Sequence, residues 1–126
     1  MTNEELVKMA EEAMENAYSP YSKFKVGAAL AADDGSVYTG CNIENSSFGA
    51  TICAERTAIV KAVSEGKRKF EKIAIVSSSG DTTYPCGICR QVMSEFMIDA
   101  EVVFKDKNGN IIVEKVKDLI PKSFVL

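Results

Sequence analysis

Two cysteines three positions apart, Cys86 and Cys89 in the segment PCGIC, are the residues of this chain that point most directly to chemistry. A pair at this spacing fits a redox disulfide, half of a zinc site or a chance neighbourhood. The chain has only four cysteines and no histidine. A metal site here must therefore draw its further ligands from the other cysteines or from carboxylates.

Cys53 supplies a third thiol, and like the PCGIC pair it is placed at the predicted start of a helix that follows extended chain. Unpaired N–H groups at a helix N-terminus favour the thiolate over the thiol. Cys86 and Cys89 are related as i and i+3, so they face the same side. Three thiolates that converge from two helix starts can hold a zinc ion and leave its fourth position to water. We predict a catalytic zinc site formed by Cys53, Cys86 and Cys89.

The fourth cysteine, Cys41, lies near the end of a predicted strand, and we expect it to pack in the core. Two alternatives remain open from the residues alone. A structural zinc module would result if Cys41 or another group closed the fourth coordination position. A thioredoxin-like redox protein would use Cys86 and Cys89 without metal.

Two charged residues follow the Cys53 thiol. Glu55 can approach a water on the metal without being a ligand, as in zinc deaminases that carry Pro-Cys-x-x-Cys, and we predict that it acts as base and then as acid.

Arg56 lies one helical turn from Cys53. Three thiolates leave the zinc site with a net negative charge, and we predict that the guanidinium withdraws part of it. The competing interpretations are a first-turn acidic residue that complements the helix dipole and a surface arginine.

Composition limits the classes of function. A chain of 126 residues with 46% hydrophobic residues predicts a single domain over residues 1–126. Its net charge of −3 and the absence of a basic stripe argue against a nucleic-acid partner. No apolar run is long enough to span a bilayer, and the acidic N-terminal stretch does not resemble a secretory signal. We therefore expect a cytoplasmic protein with neither a membrane nor a nucleic-acid partner.

The pattern of the chain predicts helix, hairpin, helix, strand, helix and hairpin, which favours an α/β fold: a three-layer α/β/α sandwich around a mixed five-stranded sheet. The first helix begins at a capping box and is expected to end at a proline. The signals for these elements are Thr2 with Glu5, Ser19-Pro20, the turn Asp34-Gly35, a helix from Cys53 to Glu65 followed by Gly66, Pro85 at the start of the third helix, and the turn Asn108-Gly109.

Several stretches together resemble the homotetrameric cytidine deaminases of the cytidine and deoxycytidylate deaminase family. These stretches are PYSKFKVGAAL, GCNIEN, CAERTA, AVSEG, PCGICRQVMSEF and DLIPKSF, and most of them lie between Tyr18 and Phe96. The resemblance implies the cytidine deaminase fold, one zinc ion per subunit and a homotetramer. It also implies hydrolysis of cytidine or deoxycytidine to the uridine and ammonia, a reaction of pyrimidine salvage.

The resemblance also assigns roles to individual residues. Cys53, Cys86 and Cys89 match the zinc ligands, and Glu55 matches the proton-shuttling carboxylate. The residues that match substrate contacts are Asn42 and Glu44 for the ribose hydroxyls, Phe24 against the pyrimidine, Ala54, and Phe124, which neighbouring subunits contribute to each other's sites.

Three features depart from the family pattern. Phe48 stands where many relatives carry tyrosine, Ile88 replaces a small residue between the second pair of cysteines, and the chain stops two residues after Phe124. These features concern the substrate range and the tetramer contacts. Two alternative functions remain. A deaminase of a nucleoside antibiotic such as blasticidin S shares the zinc motif and a similar C-terminal segment, although NIEN and CAER resemble the nucleoside enzyme more closely. A polynucleotide cytosine deaminase is disfavoured by the acidic composition.

Overall fold

A computed structural model describes residues 1–126, and its elements follow the predicted order. The helices are α1 (Asn3–Met14), α2 (Ala54–Ser64), α3 (Gly87–Met97) and α4 (Val116–Leu119). The strands are β1 (Val26–Ala32), β2 (Val37–Cys41), β3 (Phe70–Ser77), β4 (Glu101–Lys105) and β5 (Ile111–Lys115), and a 3₁₀ turn spans Phe48–Ala50. None of the helices has the length and apolar character needed to cross a membrane.

The five strands form one mixed sheet in the order β2-β1-β3-β4-β5. Strands β3 and β4 pair in parallel, and the other three pairs are antiparallel. Both predicted hairpin turns are present, with Gly35 at φ 89° and Gly109 at φ 85°. Glycine adopts this left-handed backbone without the steric cost that a Cβ atom imposes. The predicted five-stranded mixed sheet is therefore confirmed.

Helices cover both faces of the sheet, because β1 carries small apolar residues on each side. Ala29 and Ala31 pack with α1, whereas Ala28 and Leu30 pack in the larger core with α2 and α3. Successive strand side chains point to opposite faces, so a strand that is apolar throughout can bury both of them. The predicted three-layer α/β/α arrangement is confirmed.

The end of α1 differs from the prediction. The helix stops at Met14 and not at the proline, because Tyr18 leaves the helical path to join extended chain. Its N–H donates to the Asn42 carbonyl at 3.0 Å, and its carbonyl accepts from the Glu44 N–H at 2.8 Å. These two bonds place the segment after α1 beside residues 42–44, at the edge of the candidate site.

Gly40 brings α2 close to the sheet. A Cβ atom at this position would lie 2.6 Å from the carbonyl oxygen of Ala54 and 2.6 Å from the backbone nitrogen of Ala58. Only a residue without a side chain allows this approach. The first turn of α2, which carries the candidate metal ligand Cys53, is thus placed directly on β2.

Candidate metal centre and active site

Two helix starts meet at one place and bring three thiols together. Cys53 is the N-cap of α2, Cys86 is the N-cap of α3, and Cys89 lies in the first turn of α3. Their sulfur atoms all lie within 4.8 Å of one another, and those of Cys53 and Cys86 are 3.8 Å apart. Ligands at roughly 2.3 Å from a tetrahedral zinc ion lie about 3.8 Å from each other, so the three sulfurs fit this metal. Cys41 is half-buried on β2 and lies outside the cluster.

The two N-cap cysteines are free to face a metal. Serine, threonine, aspartate or asparagine at an N-cap normally accepts a hydrogen bond from the helix N–H groups. Neither Cys53 nor Cys86 makes such a side-chain bond in this structure. Cys89 is fully buried beneath them. The local sequence thus replaces a capping side chain with a metal-binding one at both helix starts.

The surroundings act in opposite directions on the Cys53 and Cys89 thiols. The Nη2 group of Arg56 donates to the Sγ of Cys53 at 3.3 Å. Hydrogen bonding from Cys89, Arg56 and Cys86 lowers the pKa of the Cys53 thiol to about 5, against the opposing effect of burial. The same coupling to Cys53, together with burial, raises the pKa of Cys89. In the metal-free protein Cys53 thus releases its proton more readily than Cys89.

Glu55 lies in the first turn of α2 and is only 4% exposed. Burial raises the pKa of its carboxyl group, and the negative charge of Cys53 adds to this shift. A carboxyl group with a raised pKa holds its proton more tightly than a free carboxyl group, and it can act as base and then as acid. Glu55 thus has the burial and the proton affinity that a proton carrier requires.

A cavity of about 260 Å³ opens beside the thiols. Its lining includes four residues predicted to contact substrate, Phe24, Asn42, Glu44 and Ala54, together with Glu55. No lysine or arginine belongs to the lining. The cavity is therefore apolar and acidic in character, and it joins the candidate metal site to the predicted binding residues.

Asn42 is held firmly by the strand that faces it. Its Oδ1 accepts from the Val26 N–H at 2.9 Å, and its Nδ2 donates to the Phe24 carbonyl at 2.8 Å. An amide side chain offers two donors and two acceptor positions, so one of each remains. Asn42 can therefore offer a hydrogen bond to a ligand while it fixes the start of β1.

The loop that precedes β1 holds the Glu44 carboxylate in one orientation through hydrogen bonds. One of its oxygens accepts from the N–H groups of Tyr21 at 3.0 Å and Ser22 at 3.1 Å, and the other accepts from the Ser22 hydroxyl. These bonds, above all that from the Ser22 hydroxyl, lower the pKa of Glu44. The side chain is therefore an oriented anion at the mouth of the cavity and suits ligand hydroxyl groups.

The remaining predicted residues lie outside the cavity lining. Arg56 reaches the site only through the Cys53 sulfur, and Phe124 is 67% exposed near the end of the chain. Phe48 and Ile88 are also exposed. The structure of one chain thus leaves Phe124 outside its own cavity.

Sequence reasoning missed several residues that line the cavity, namely Ser22, Val26, Thr51, Ile52, Thr83 and Tyr84. The ring of Tyr84 packs on buried Phe104, with 4.9 Å between centroids. The nearby Glu114 carboxylate raises the pKa of the Tyr84 phenol. The one signal for Tyr84 in the sequence is its position directly before PCGIC, which carries two of the candidate ligands.

The fold and the three convergent thiols match a family of zinc-binding deaminases. The family model described as the cytidine and deoxycytidylate deaminase zinc-binding region matches residues 1–105. This chain belongs to that family, and the resemblance seen in its sequence is confirmed.

Several named relatives match almost the whole chain. A cytidine deaminase from Sporosarcina psychrophila is 48% identical over 98% of this chain and 92% of its own length. One from Halalkalibacterium halodurans is 49% identical over 98% and 95%. The crystal structure of cytidine deaminase from Burkholderia pseudomallei superposes with a TM-score of 0.93 at 46% identity, covering 98% of this chain and 100% of that one. A blasticidin-S deaminase from Bacillus cereus is more distant, at 33% identity over 95% of this chain and 90% of its own length.

Proposed function

We propose that this protein catalyses the zinc-dependent hydrolytic deamination of cytidine and deoxycytidine to uridine and deoxyuridine, with release of ammonia, in pyrimidine salvage. The observation that carries this proposal is the meeting of three thiols beside one cavity whose lining includes buried Glu55 and the Glu44 carboxylate. Relatives at 48% and 49% identity that bear the name cytidine deaminase support it.

Cys53, Cys86 and Cys89 would hold one zinc ion per subunit. A zinc ion bound to three protein ligands acts as a Lewis acid that lowers the pKa of a water in its open position. Arg56 donates to one ligand sulfur and so offsets part of the negative charge of the thiolates. These ligand roles form part of the proposal.

Glu55 carries the protons in the proposed reaction. Its carboxylate takes a proton from the attacking water and delivers it to N3 of the pyrimidine. The water oxygen bonds to C4, and its second proton passes through the same carboxylate to the amino nitrogen. The C4–N bond then breaks, so the amino group leaves as ammonia and the oxygen remains on C4 as the carbonyl of the uridine. One buried carboxylate with a raised pKa serves as base and then as acid, which explains how a chain without histidine can perform the chemistry.

Asn42, Glu44, Phe24 and Ala54 would position the nucleoside. The oriented Glu44 carboxylate and the free positions of the Asn42 amide suit a sugar diol, and Phe24 offers an aromatic surface to the base. The cavity lining contains carboxylates and no cation. A phosphate group would meet only negative charge there, which favours a nucleoside over a nucleotide.

The assembly and the compartment are also proposals. We infer a cytoplasmic homotetramer in which Phe124 reaches the site of a neighbouring subunit. Three large apolar side chains, Phe48, Ile88 and Phe124, are more than 60% exposed in the single chain, which supports their burial by other subunits. Mixing inactive Glu55→Gln chains with Phe124→Ala chains tests shared sites. Activity above that of either variant alone would support the exchange, and its absence in mixed tetramers would contradict it.

The decisive experiment measures zinc content and ammonia release on the same preparation. We expect one zinc ion per chain and ammonia from cytidine and deoxycytidine, with little from cytidine 5′-monophosphate. Blasticidin S is the alternative substrate to test, because the match to a blasticidin-S deaminase extends over 95% of this chain. Faster turnover of blasticidin S than of cytidine would overturn the proposed substrate, and metal-free protein with full activity would overturn the proposed chemistry.

A further inference from the structure

Arg90 joins the turn that carries Cys86 to the C-terminal part of the chain. Its Nε donates to the Pro85 carbonyl at 2.8 Å, and its Nη1 donates to the Leu119 carbonyl at 2.9 Å. The two acceptors are far apart in the sequence, and a single planar guanidinium connects them. Hydrogen bonds with a charged donor are stronger than neutral ones.

The Pro85 carbonyl belongs to the peptide group immediately before the N-cap Cys86. The Cys86 carbonyl already accepts from the Arg90 backbone N–H at 3.0 Å. Arg90 therefore holds two successive carbonyl groups around Cys86, one with its main chain and one with its side chain. Cys86 has no side-chain capping bond of its own that would fix this turn.

The second acceptor, Leu119, is the last residue of the short helix α4. Carbonyl groups at a helix end lack partners within the helix and need other donors. The neighbouring residue Gln91 adds a parallel contact, because its Nε2 donates to the Phe124 carbonyl at 3.0 Å. Two consecutive residues of α3 thus hold the segment 119–124.

We propose that Arg90 is a positioning residue that fixes the backbone before Cys86, and so the direction of its sulfur, with the Leu119 carbonyl as its second anchor. This inference rests on the zinc site of the proposed function and is independent of the substrate. Hydrogen bonds from neighbouring groups orient the residues that bind a metal, and this orientation contributes to the metal affinity. Lysine cannot replace the arginine, because its single ammonium group lacks the fixed fork of donors that two separate carbonyls require.

The test measures zinc affinity by competition with a chelator, without substrate. We expect Arg90→Gln and Arg90→Lys to bind zinc about 10-fold more weakly than the wild-type protein. Arg68→Gln is the matched control, because Arg68 also donates to two backbone carbonyls, those of Val63 and Lys67, each at 2.8 Å. Its zinc affinity should remain that of the wild-type protein.

Melting temperatures separate positioning from a general loss of stability. Zinc that binds only the folded protein raises the melting temperature according to its affinity. We expect the rise on adding zinc to be smaller in both Arg90 variants than in Arg68→Gln. Equal zinc-induced rises and unchanged chelator competition in the Arg90 variants would overturn the inference, even if both variants melted earlier.

The Arg90→Lys variant tests the second anchor in the full-length chain. Its single ammonium group cannot hold both the Pro85 and the Leu119 carbonyl, so wild-type zinc affinity in Arg90→Lys would show that the joint contact is not needed. A wild-type protein that binds zinc but does not deaminate cytidine would refute the proposed substrate and leave this test intact.

Discussion

The Nη2 of Arg56 lies 3.3 Å from the Sγ of Cys53, one helical turn further along α2. The Nε of the same guanidinium is buried without a hydrogen-bond partner. An unpaired buried donor costs free energy, so the placement of Arg56 is set by its contact with the sulfur and not by full satisfaction of its own donors. The guanidinium thus lies where it can offset negative charge on the Cys53 sulfur.

Arg56→Gln should weaken zinc binding about 10-fold, because the glutamine removes both the charge and the donor that faces Cys53. Chelator competition measures the affinity, and turnover of cytidine measures the effect on kcat. Arg56→Lys keeps the charge and should fall between glutamine and the wild-type protein. If Arg56→Gln had the zinc affinity and the kcat of the wild-type protein, the contact between Arg56 and Cys53 would have no role in metal binding or catalysis.

Glu55→Gln should retain zinc and lose activity by a factor on the order of 10² to 10⁴, because an amide of the same shape cannot carry the proton. Metal analysis and ammonia release on one preparation give both numbers. Glu95→Gln is the control, since Glu95 is an exposed carboxylate on α3. Near-normal turnover in Glu55→Gln would remove Glu55 from the reaction.

Glu55 also makes the stability of the metal-free protein depend on pH. Burial raises the pKa of Glu55 in the folded state, so its stabilising contribution is complete below the pKa of the unfolded chain. The contribution is lost as the pH rises through the folded-state pKa. Between the two pKa values the free energy of unfolding falls by about 1.4 kcal/mol per pH unit.

Metal-free Glu55→Gln should not show this loss, because glutamine does not titrate. Urea unfolding of both proteins at a series of pH values from acidic to neutral gives the comparison. We expect the variant to gain stability relative to the wild-type protein as the pH rises, and then to keep a constant advantage. A difference that is independent of pH would mean that Glu55 does not titrate in this range.

The architecture could be predicted from local signals because each of them acts over a few residues. The turns at Gly35 and Gly109 require a left-handed backbone, and Gly66 at φ 95° follows α2 as expected. The end of α1 could not be predicted, because it depends on the pairing of Tyr18 with residues 42–44, which are distant in the sequence. Tertiary contacts of this kind override local helix signals.

The metal-binding part of the site could be predicted, because its cysteines are recognised by their spacing and by their positions at helix starts. Cys86 and Cys89 are neighbours on one helical turn, and the joining of Cys53 to them followed from the shared setting at helix starts. The contacts of Ser22 with Glu44 and of Arg90 with Leu119 could not be predicted. Each depends on two segments that meet only in the folded chain, and serine or arginine in isolation is compatible with an exposed loop or helix surface.

The close approach of α2 to β2 leads to a prediction about the metal site itself. Gly40→Ala places a Cβ atom 2.6 Å from backbone atoms of Ala54 and Ala58, so the first turn of α2 must move. We expect a loss of at least about 2 kcal/mol in the free energy of unfolding, as found for overpacked cores, together with weaker zinc binding because Cys53 moves with the helix.

Gly27→Ala is the matched control for this substitution. Its Cβ atom would lie 2.1 Å from the Ala10 carbonyl oxygen of α1, on the opposite face of the sheet from the thiols. This variant should lose comparable stability and keep the zinc affinity of its folded fraction. Urea unfolding of the metal-free proteins and chelator competition measure the two effects separately. Equal zinc affinities in the two variants would show that the depth of α2 on the sheet does not determine the position of Cys53.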